Sequence, residues 1–228
     1  MLDFAGVLPP GPLHAMLDTY LDGFRRKHRG EMPWNNYTAY EIRIIGAFVR
    51  IGNRAVANEL LEFFLSDRRP REWNQWPEIT WRDARSPGHL GDVPHTWIAA
   101  EYLLAVASMV ACEREATASL VLASGMPWAW IAGEHGFSVN HLPTRFGTLD
   151  FNIAACGTDT IRVAVGGSIN IPPGGLTIAP PLPSGMRILS AADSNGNSVV
   201  VHTPGGSVAV AALPFAAVLH LGGDKEMV

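Results

Sequence analysis

The hydrophobic pattern of this chain changes near residue 115, and this change constrains the fold more than any other feature. Before it, apolar residues recur at helical spacing in four segments. These segments begin near Pro12, Thr38, Arg54 and Pro94. After it, short β-rich runs alternate with Gly, Pro and Asn turns, such as residues 194–197. The sequence therefore predicts an α+β protein of two domains, with helices over 1–115 and an antiparallel β-sandwich over 116–228.

The four helices alternate in character along the chain. The first and third carry one polar face, whereas the second and fourth are apolar nearly all round and are predicted to be buried. Long loops, 31–37 and 66–93, precede the two apolar helices. Antiparallel packing of successive helices would place both loops at the same end, where we expect a functional site.

The second of these loops is rich in tryptophan. The stretch from Trp73 to Trp97 holds four of the seven tryptophans and two of the eight histidines. Indole rings pack against the C–H faces of sugars, so carbohydrate is the predicted partner. Trp97 itself lies in the fourth apolar helix and is predicted to be buried, and Glu101 in the same helix needs a partner such as an arginine.

Composition and termini exclude several classes of function. The chain has 17 basic and 21 acidic residues, a net charge of −4 and no basic patch, which argues against nucleic acid as a partner. No signal peptide or transmembrane segment is visible, so we expect a soluble protein with no membrane partner. Cys112, late in the fourth helix, is predicted to be a buried thiol.

No cofactor is expected from the sequence. His89, Asp92 and His95 could be read together with Glu78 as metal ligands, but their spacing matches no strong metal-binding motif. We therefore expect no metal.

Several motifs resemble a known family. Residues 76–78 (Trp-Pro-Glu) and 94–97 (Pro-His-Thr-Trp), the latter opening an apolar helix, resemble the C-terminal region of bacterial six-hairpin glycosidases of the α-L-rhamnosidase type. Residues 120–127 and 142–150 resemble the linker and first β-strands that follow the barrel in the same group. The resemblance implies partial (α/α)6-toroid hairpins followed by an antiparallel β-sandwich.

The same resemblance implies a function. Glu78 matches the position of the general base that activates water, and it is the catalytic candidate. A complete toroid needs six helical hairpins, and this sequence shows only two. The expectation is a C-terminal fragment of a glycoside hydrolase acting on oligo- or polysaccharide, inactive alone, whose partners are the missing hairpins or a second copy.

The residues expected to bind substrate are Trp34, Asn35, Trp76, Trp81, Asp92 and His95. Other roles remain open for the polar candidates. Asn35 could form a turn or cap the following helix. Glu78 could cap or pair as an ordinary loop acid, Asp92 could cap the following helix, and His95 could orient Glu78 or bond to the backbone.

A different class of function also remains open, namely a non-catalytic carbohydrate-binding or structural interaction module. A second acid near Glu78 across a cleft would favour the hydrolase. An open, one-sided aromatic patch would favour the binding module.

Overall fold

The computed structural model describes residues 9–83, 86, 92–202 and 206–223. It divides into two compact units, Met1–Ser108 and Met109–Val228, called here the helical unit and the β unit. The mixture of helices and sheets confirms the α+β prediction. The division falls earlier in the chain than the predicted boundary at 115/116.

The helical unit contains four α-helices and two short strands among its described residues. In chain order the elements are α1 (Pro10–His28), β1 (Asn36–Thr38), α2 (Ile44–Arg50), α3 (Arg54–Ser66), β2 (Ile79–Trp81) and α4 (Thr96–Val110). Single 3-10 turns cover Ala39–Arg43 and Arg71–Trp73.

Side chains at the helix ends explain why these segments start and stop where they do. The Thr38 hydroxyl accepts a hydrogen bond from the backbone N–H of Tyr40, and the Asn53 side chain accepts one from Val56. Gly30, just beyond α1, has a φ of 77°. Local capping therefore accounts for the predicted helix ends at Thr38 and Gly30.

The core of the helical unit lies between α1, the 3-10 turn with α2, and α3. Its largest members are fully or nearly fully buried: Leu17, Leu21, Phe24, Ile42, Ile45, Phe48, Leu60 and Phe64. An ion pair between Arg25 of α1 and Glu59 of α3 joins two of these helices at the surface. Burial of Phe48 confirms the prediction that α2 is an inner helix.

The matching prediction for α4 holds only in part, because Ile98, Ala105 and Met109 are fully buried but other apolar side chains of the helix are not. Trp97, Leu103 and Leu104 are 71%, 65% and 47% exposed, although the helix is almost entirely apolar. Apolar character alone did not predict this exposure, because burial also requires a packing partner.

A short antiparallel ribbon joins the two long loops of the helical unit. Strands β1 and β2 pair with Asn36 opposite Trp81 and Thr38 opposite Ile79. The two loops therefore meet, as the helix-packing argument predicts.

The β unit contains ten strands and one short helix among its described residues. They are β3 (Ala111–Arg114), β4 (Ser119–Leu122), α5 (Trp128–Ile131), β5 (Phe137–Thr144), β6 (Gly147–Ala155), β7 (Thr160–Ile169), β8 (Leu176–Ile178), β9 (Met186–Asp193), β10 (Val201–His202), β11 (Ser207–Val210) and β12 (Phe215–Gly223). Each predicted β-run corresponds to one of these strands. Cys112 is buried as predicted, but it lies in β3 and not in a helix.

The strands form two five-stranded sheets, in the orders β10-β11-β8-β4-β3 and β5-β6-β7-β12-β9. Strands β4 and β8 pair in parallel, so the prediction of a wholly antiparallel arrangement is wrong for the first sheet. Buried side chains from both sheets, such as Leu120, Ile178, Phe151 and Leu219, belong to one hydrophobic cluster. Alternating burial in β6, where Leu149, Phe151 and Ile153 point inward, is the pattern expected of a half-buried strand.

No helix in the described part of the chain is both long enough and apolar enough to cross a membrane.

Candidate functional site

The ribbon of β1 and β2 positions the first element of the candidate site. Because Thr38 pairs with Ile79, the next residues on each strand, Ala39 and Glu78, are also neighbours. The backbone N–H of Ala39 donates to the carbonyl of Glu78 over 3.1 Å. This contact holds the half-buried Glu78 close to Tyr40.

His95, immediately before α4, is held at both ring nitrogens. Its Nδ1 lies 2.8 Å from a carboxylate oxygen of Asp92, and its Nε2 lies 3.0 Å from the hydroxyl of Tyr40. In the neutral imidazole, Nδ1–H donates to Asp92 and the Tyr40 hydroxyl donates to Nε2. The ring is therefore oriented by two polar partners, one from each long loop region.

Glu78 completes this group. One donor atom from each of Glu78, Asp92 and His95 lies within 4.8 Å of the other two. Three of the residues singled out from the sequence are thus brought together by the fold.

An open depression of about 390 Å³ lies against this group. It is lined by Tyr40, Arg43, Glu78, Trp97, Ala100 and Glu101. Trp97 contributes a largely exposed indole, which reverses the prediction that this side chain is buried.

Arg43 contacts two other residues that line the depression, Glu101 and Tyr40. Its guanidinium lies 3.3 Å from the Glu101 carboxylate and 4.8 Å from the centre of the Tyr40 ring. The expectation that Glu101 pairs with an arginine is confirmed, and the cation–π contact helps to fix Tyr40.

The electrostatics of the depression affect Tyr40. Loss of solvation, followed by the negative charge of Glu78, raises the pKa of the Tyr40 hydroxyl, while Arg43 acts in the opposite direction. A raised pKa keeps the phenol protonated near neutral pH. The Tyr40 hydroxyl therefore keeps its proton and is able to donate a hydrogen bond to a deprotonated His95 Nε2.

The remaining predicted residues lie elsewhere in the helical unit. Trp76 is only 3% exposed, and its indole N–H donates to the backbone carbonyl of Phe64 over 2.9 Å. Its rings are part of the core, so the structure contradicts a substrate-stacking role for Trp76.

Trp34 and Asn35 also have structural partners. The Trp34 ring stacks on Phe63 at a centroid distance of 5.5 Å and lies beneath the Arg82 guanidinium at 4.4 Å. The carbonyl of Asn35 accepts from the backbone of Arg82 and extends the ribbon. Neither residue lines the depression beside Glu78.

Trp81 is half-buried in β2, with its carbonyl hydrogen-bonded to Arg69, and it too is absent from the lining. His89, the other histidine considered as a ligand, lies outside the described residues.

Sequence reasoning missed Tyr40, Arg43 and Trp97 as site residues because all three lie in segments with strong apolar character. One signal was available for Tyr40 and Arg43. They are three residues apart, which places their polar ends side by side on a helical turn.

Comparison with known proteins finds no matching family model, no similar curated protein and no similar solved structure. The function is therefore inferred from the chemistry of the site. It offers a carboxylate at Glu78, an Asp92–His95–Tyr40 hydrogen-bonded chain, an exposed indole and an Arg43–Glu101 ion pair.

Proposed function

We propose that this chain is the C-terminal part of a glycoside hydrolase that acts on oligo- or polysaccharide. In this proposal the helical unit supplies hairpins of an (α/α)6 toroid, and the two sheets of the β unit form the accompanying sandwich. The supporting observation is the convergence of Glu78, Asp92 and His95, of which Glu78 lines an open depression together with the exposed indole of Trp97.

Trp97 is the stacking residue in this proposal. Its exposed ring borders the same depression as Glu78, whereas Trp34 and Trp76 are occupied by packing partners. A sugar ring on Trp97 would present its hydroxyls to Arg43 and Glu101, whose charged groups suit bonds to alcohols.

Glu78 is the proposed general base. It is half-buried, and no paired cation is seen for its carboxylate among the described residues. Asp92 is bonded to His95, which leaves Glu78 as the acid free to accept a proton from water. The general acid would come from a further hairpin of the toroid, across the substrate from Glu78.

The exposed face of α4 is the proposed contact for such hairpins. Leu103 and Leu104 are exposed on a helix that has few polar side chains. Packing of another toroid hairpin would cover them, and self-association of the chain is the alternative outcome of a test in solution.

A non-catalytic carbohydrate-binding module is the second candidate. The depression is open, and Trp97 is the only tryptophan among the described residues that line it. This one-sided arrangement favours surface binding of a glycan over enclosure of a scissile bond.

The deciding experiment substitutes Glu78→Gln in the protein that carries the whole toroid. We expect hydrolysis of aryl glycosides to fall by about 10² to 10⁴-fold, the usual contribution of a positioned base, with sugar binding nearly unchanged by calorimetry. Glu72→Gln, an exposed acid earlier in the same loop, is the matched control and should retain activity.

Three outcomes separate the proposals. If Glu78→Gln hydrolyses glycosides at a rate within a few-fold of wild type, Glu78 is not the general base. Saturable sugar binding by a wild type that hydrolyses none of the glycosides, abolished by Trp97→Ala, would identify a binding module. The isolated chain should be inactive whichever residue stands at position 78.

A further inference from the structure

The group formed by Glu78, Asp92 and His95 has the composition of a metal site. It combines one imidazole nitrogen with two carboxylates, and the three donor atoms already lie within 4.8 Å of one another. From this geometry we propose that the three residues bind one divalent transition-metal ion, of the Zn²⁺ or Mn²⁺ type. The inference goes beyond the proposed hydrolase, because it holds whether or not the chain cleaves glycosides.

The distances suit a metal ion with small adjustments. Ligands about 2.1 Å from a metal lie about 3 Å apart in octahedral geometry and about 3.4 Å apart in tetrahedral geometry. The 2.8 Å separation of the Asp92 oxygen and His95 Nδ1 is close to the first of these. The Glu78 oxygen lies within 4.8 Å of the other two donor atoms, and its half-exposed side chain can change rotamer within the open depression to approach the ion.

Tyr40 supplies the partner that a ligating histidine usually has. With Nδ1 on the ion, the ring proton resides on Nε2, which lies 3.0 Å from the Tyr40 hydroxyl oxygen. Such a bond fixes the tautomer and orientation of the imidazole, and losing it commonly weakens metal affinity about 10 to 100-fold. Tyr40 is not itself one of the three ligands and comes from a different segment, the 3-10 turn before α2.

The donor set indicates the class of ion. Calcium takes six to eight oxygen ligands, and an imidazole is a poor choice for it. Imidazole with carboxylate suits zinc or manganese, and three protein ligands leave positions open for water or substrate. The open positions would face the depression beside Trp97.

An ion here is compatible with the proposed base. A carboxylate that binds a metal through one oxygen keeps the second oxygen to accept a proton. A water held on the ion also has a lowered pKa. Glu78 could then accept the proton of a metal-bound water.

The experiment titrates Zn²⁺, and separately Mn²⁺ and Ca²⁺, into the metal-stripped full chain by calorimetry. We expect one saturable transition-metal site and no comparable Ca²⁺ binding. Glu78→Gln, Asp92→Asn and His95→Gln should each weaken that site at least about 10-fold, and Tyr40→Phe should weaken it about 10-fold while leaving the stoichiometry unchanged.

The chain offers two controls. Glu72→Gln removes an exposed acid of the same loop, and His135→Gln removes an exposed histidine of the β unit. Both should bind the ion as wild type does. Circular dichroism of every variant confirms that loss of binding is not loss of fold.

The outcomes distinguish this inference from the hydrolase. Absence of saturable binding, or binding that survives all three ligand substitutions, would overturn the metal site and leave the hydrolase assay unaffected. A Ca²⁺ preference would also overturn it. Metal binding that depends on the three ligands, together with no glycosidase activity in the protein that carries the whole toroid, would support the site and reject the hydrolase.

Discussion

The β unit and the helical unit bury their apolar side chains to different extents. In the β unit, strands such as β6 alternate inward and outward residues, and both sheets contribute to one closed cluster. In the helical unit, α4 leaves Trp97, Leu103 and Leu104 exposed along one short helix. An alternating strand specifies its own buried face. The sequence of a helix that is apolar all round does not show which of its sides will be covered. Here α4, the helix with an uncovered side, is also the one that borders the candidate site.

The largest expected effect is the difference in unfolding free energy between two Leu→Ala variants, one in each unit. Leu120 is fully buried in the β unit, and Leu103 is 65% exposed on α4. Leu120→Ala should lower the free energy of unfolding by about 2 to 5 kcal/mol, because it leaves a cavity. Leu103→Ala should change it by no more than about 0.5 kcal/mol. Urea unfolding followed by circular dichroism measures both, and a Leu103→Ala cost equal to that of Leu120→Ala would mean that α4 is covered.

A smaller effect concerns the surface of α4. The full chain should bind a fluorescent hydrophobic dye, because exposed apolar side chains grouped on one face provide a binding patch. Replacing Leu103 and Leu104 together by Lys should lower the fluorescence several-fold. Leu189→Lys is the control, since Leu189 is 57% exposed but lies on a strand of the β unit. A dye-silent wild type would show that the α4 face is not available in solution.

The smallest effect is a pH dependence in the β unit. The Asp193 carboxylate accepts hydrogen bonds from the backbone N–H groups of Asn195 and Asn197, and the pKa of Asp193 is lowered from its ordinary 3.8, chiefly by its bonds to Asn197. The turn is therefore stabilised fully above pH 3.8, and this contribution is lost as the pH falls through the folded-state pKa. The difference in Tm between wild type and Asp193→Asn should be constant near neutral pH and shrink in acid. A Tm difference that does not change with pH would show that the Asp193 carboxylate does not stabilise the turn.

Much of the β unit was predictable because its signals are local. Alternation defined the strands, and the Asn-Gly sequence at 195–196 marked the turn, where Gly196 has a φ of 81°. Two features were not predictable. Strand β3 directly follows the apolar α4 with no Gly or Pro between them, so only its pairing with β4 makes it a strand. The parallel contact of β4 with β8 likewise depends on a long-range partner.

The site was predictable in part. Glu78, Asp92 and His95 converge because the two long loops meet, which followed from the order of polar and apolar helices. Trp76 was assigned wrongly because sequence cannot show that its N–H finds the Phe64 carbonyl in the core. Tyr40 was missed because it lies in a segment of strong apolar character.

The ribbon of β1 and β2 has a further consequence. It pairs three residues of each strand, with one further backbone hydrogen bond beyond each end, and it brings together segments far apart in the chain, with α2 and α3 between them. Such a small, long-range closure has an opening equilibrium of its own, separate from global unfolding. Anything that binds Glu78 and His95 together favours the closed ribbon, and by linkage a mutation that loosens the ribbon weakens binding without touching a ligand. The affinity of this site for a ligand therefore depends in part on how stably the backbones of β1 and β2 pair, from Asn36–Trp81 to Thr38–Ile79.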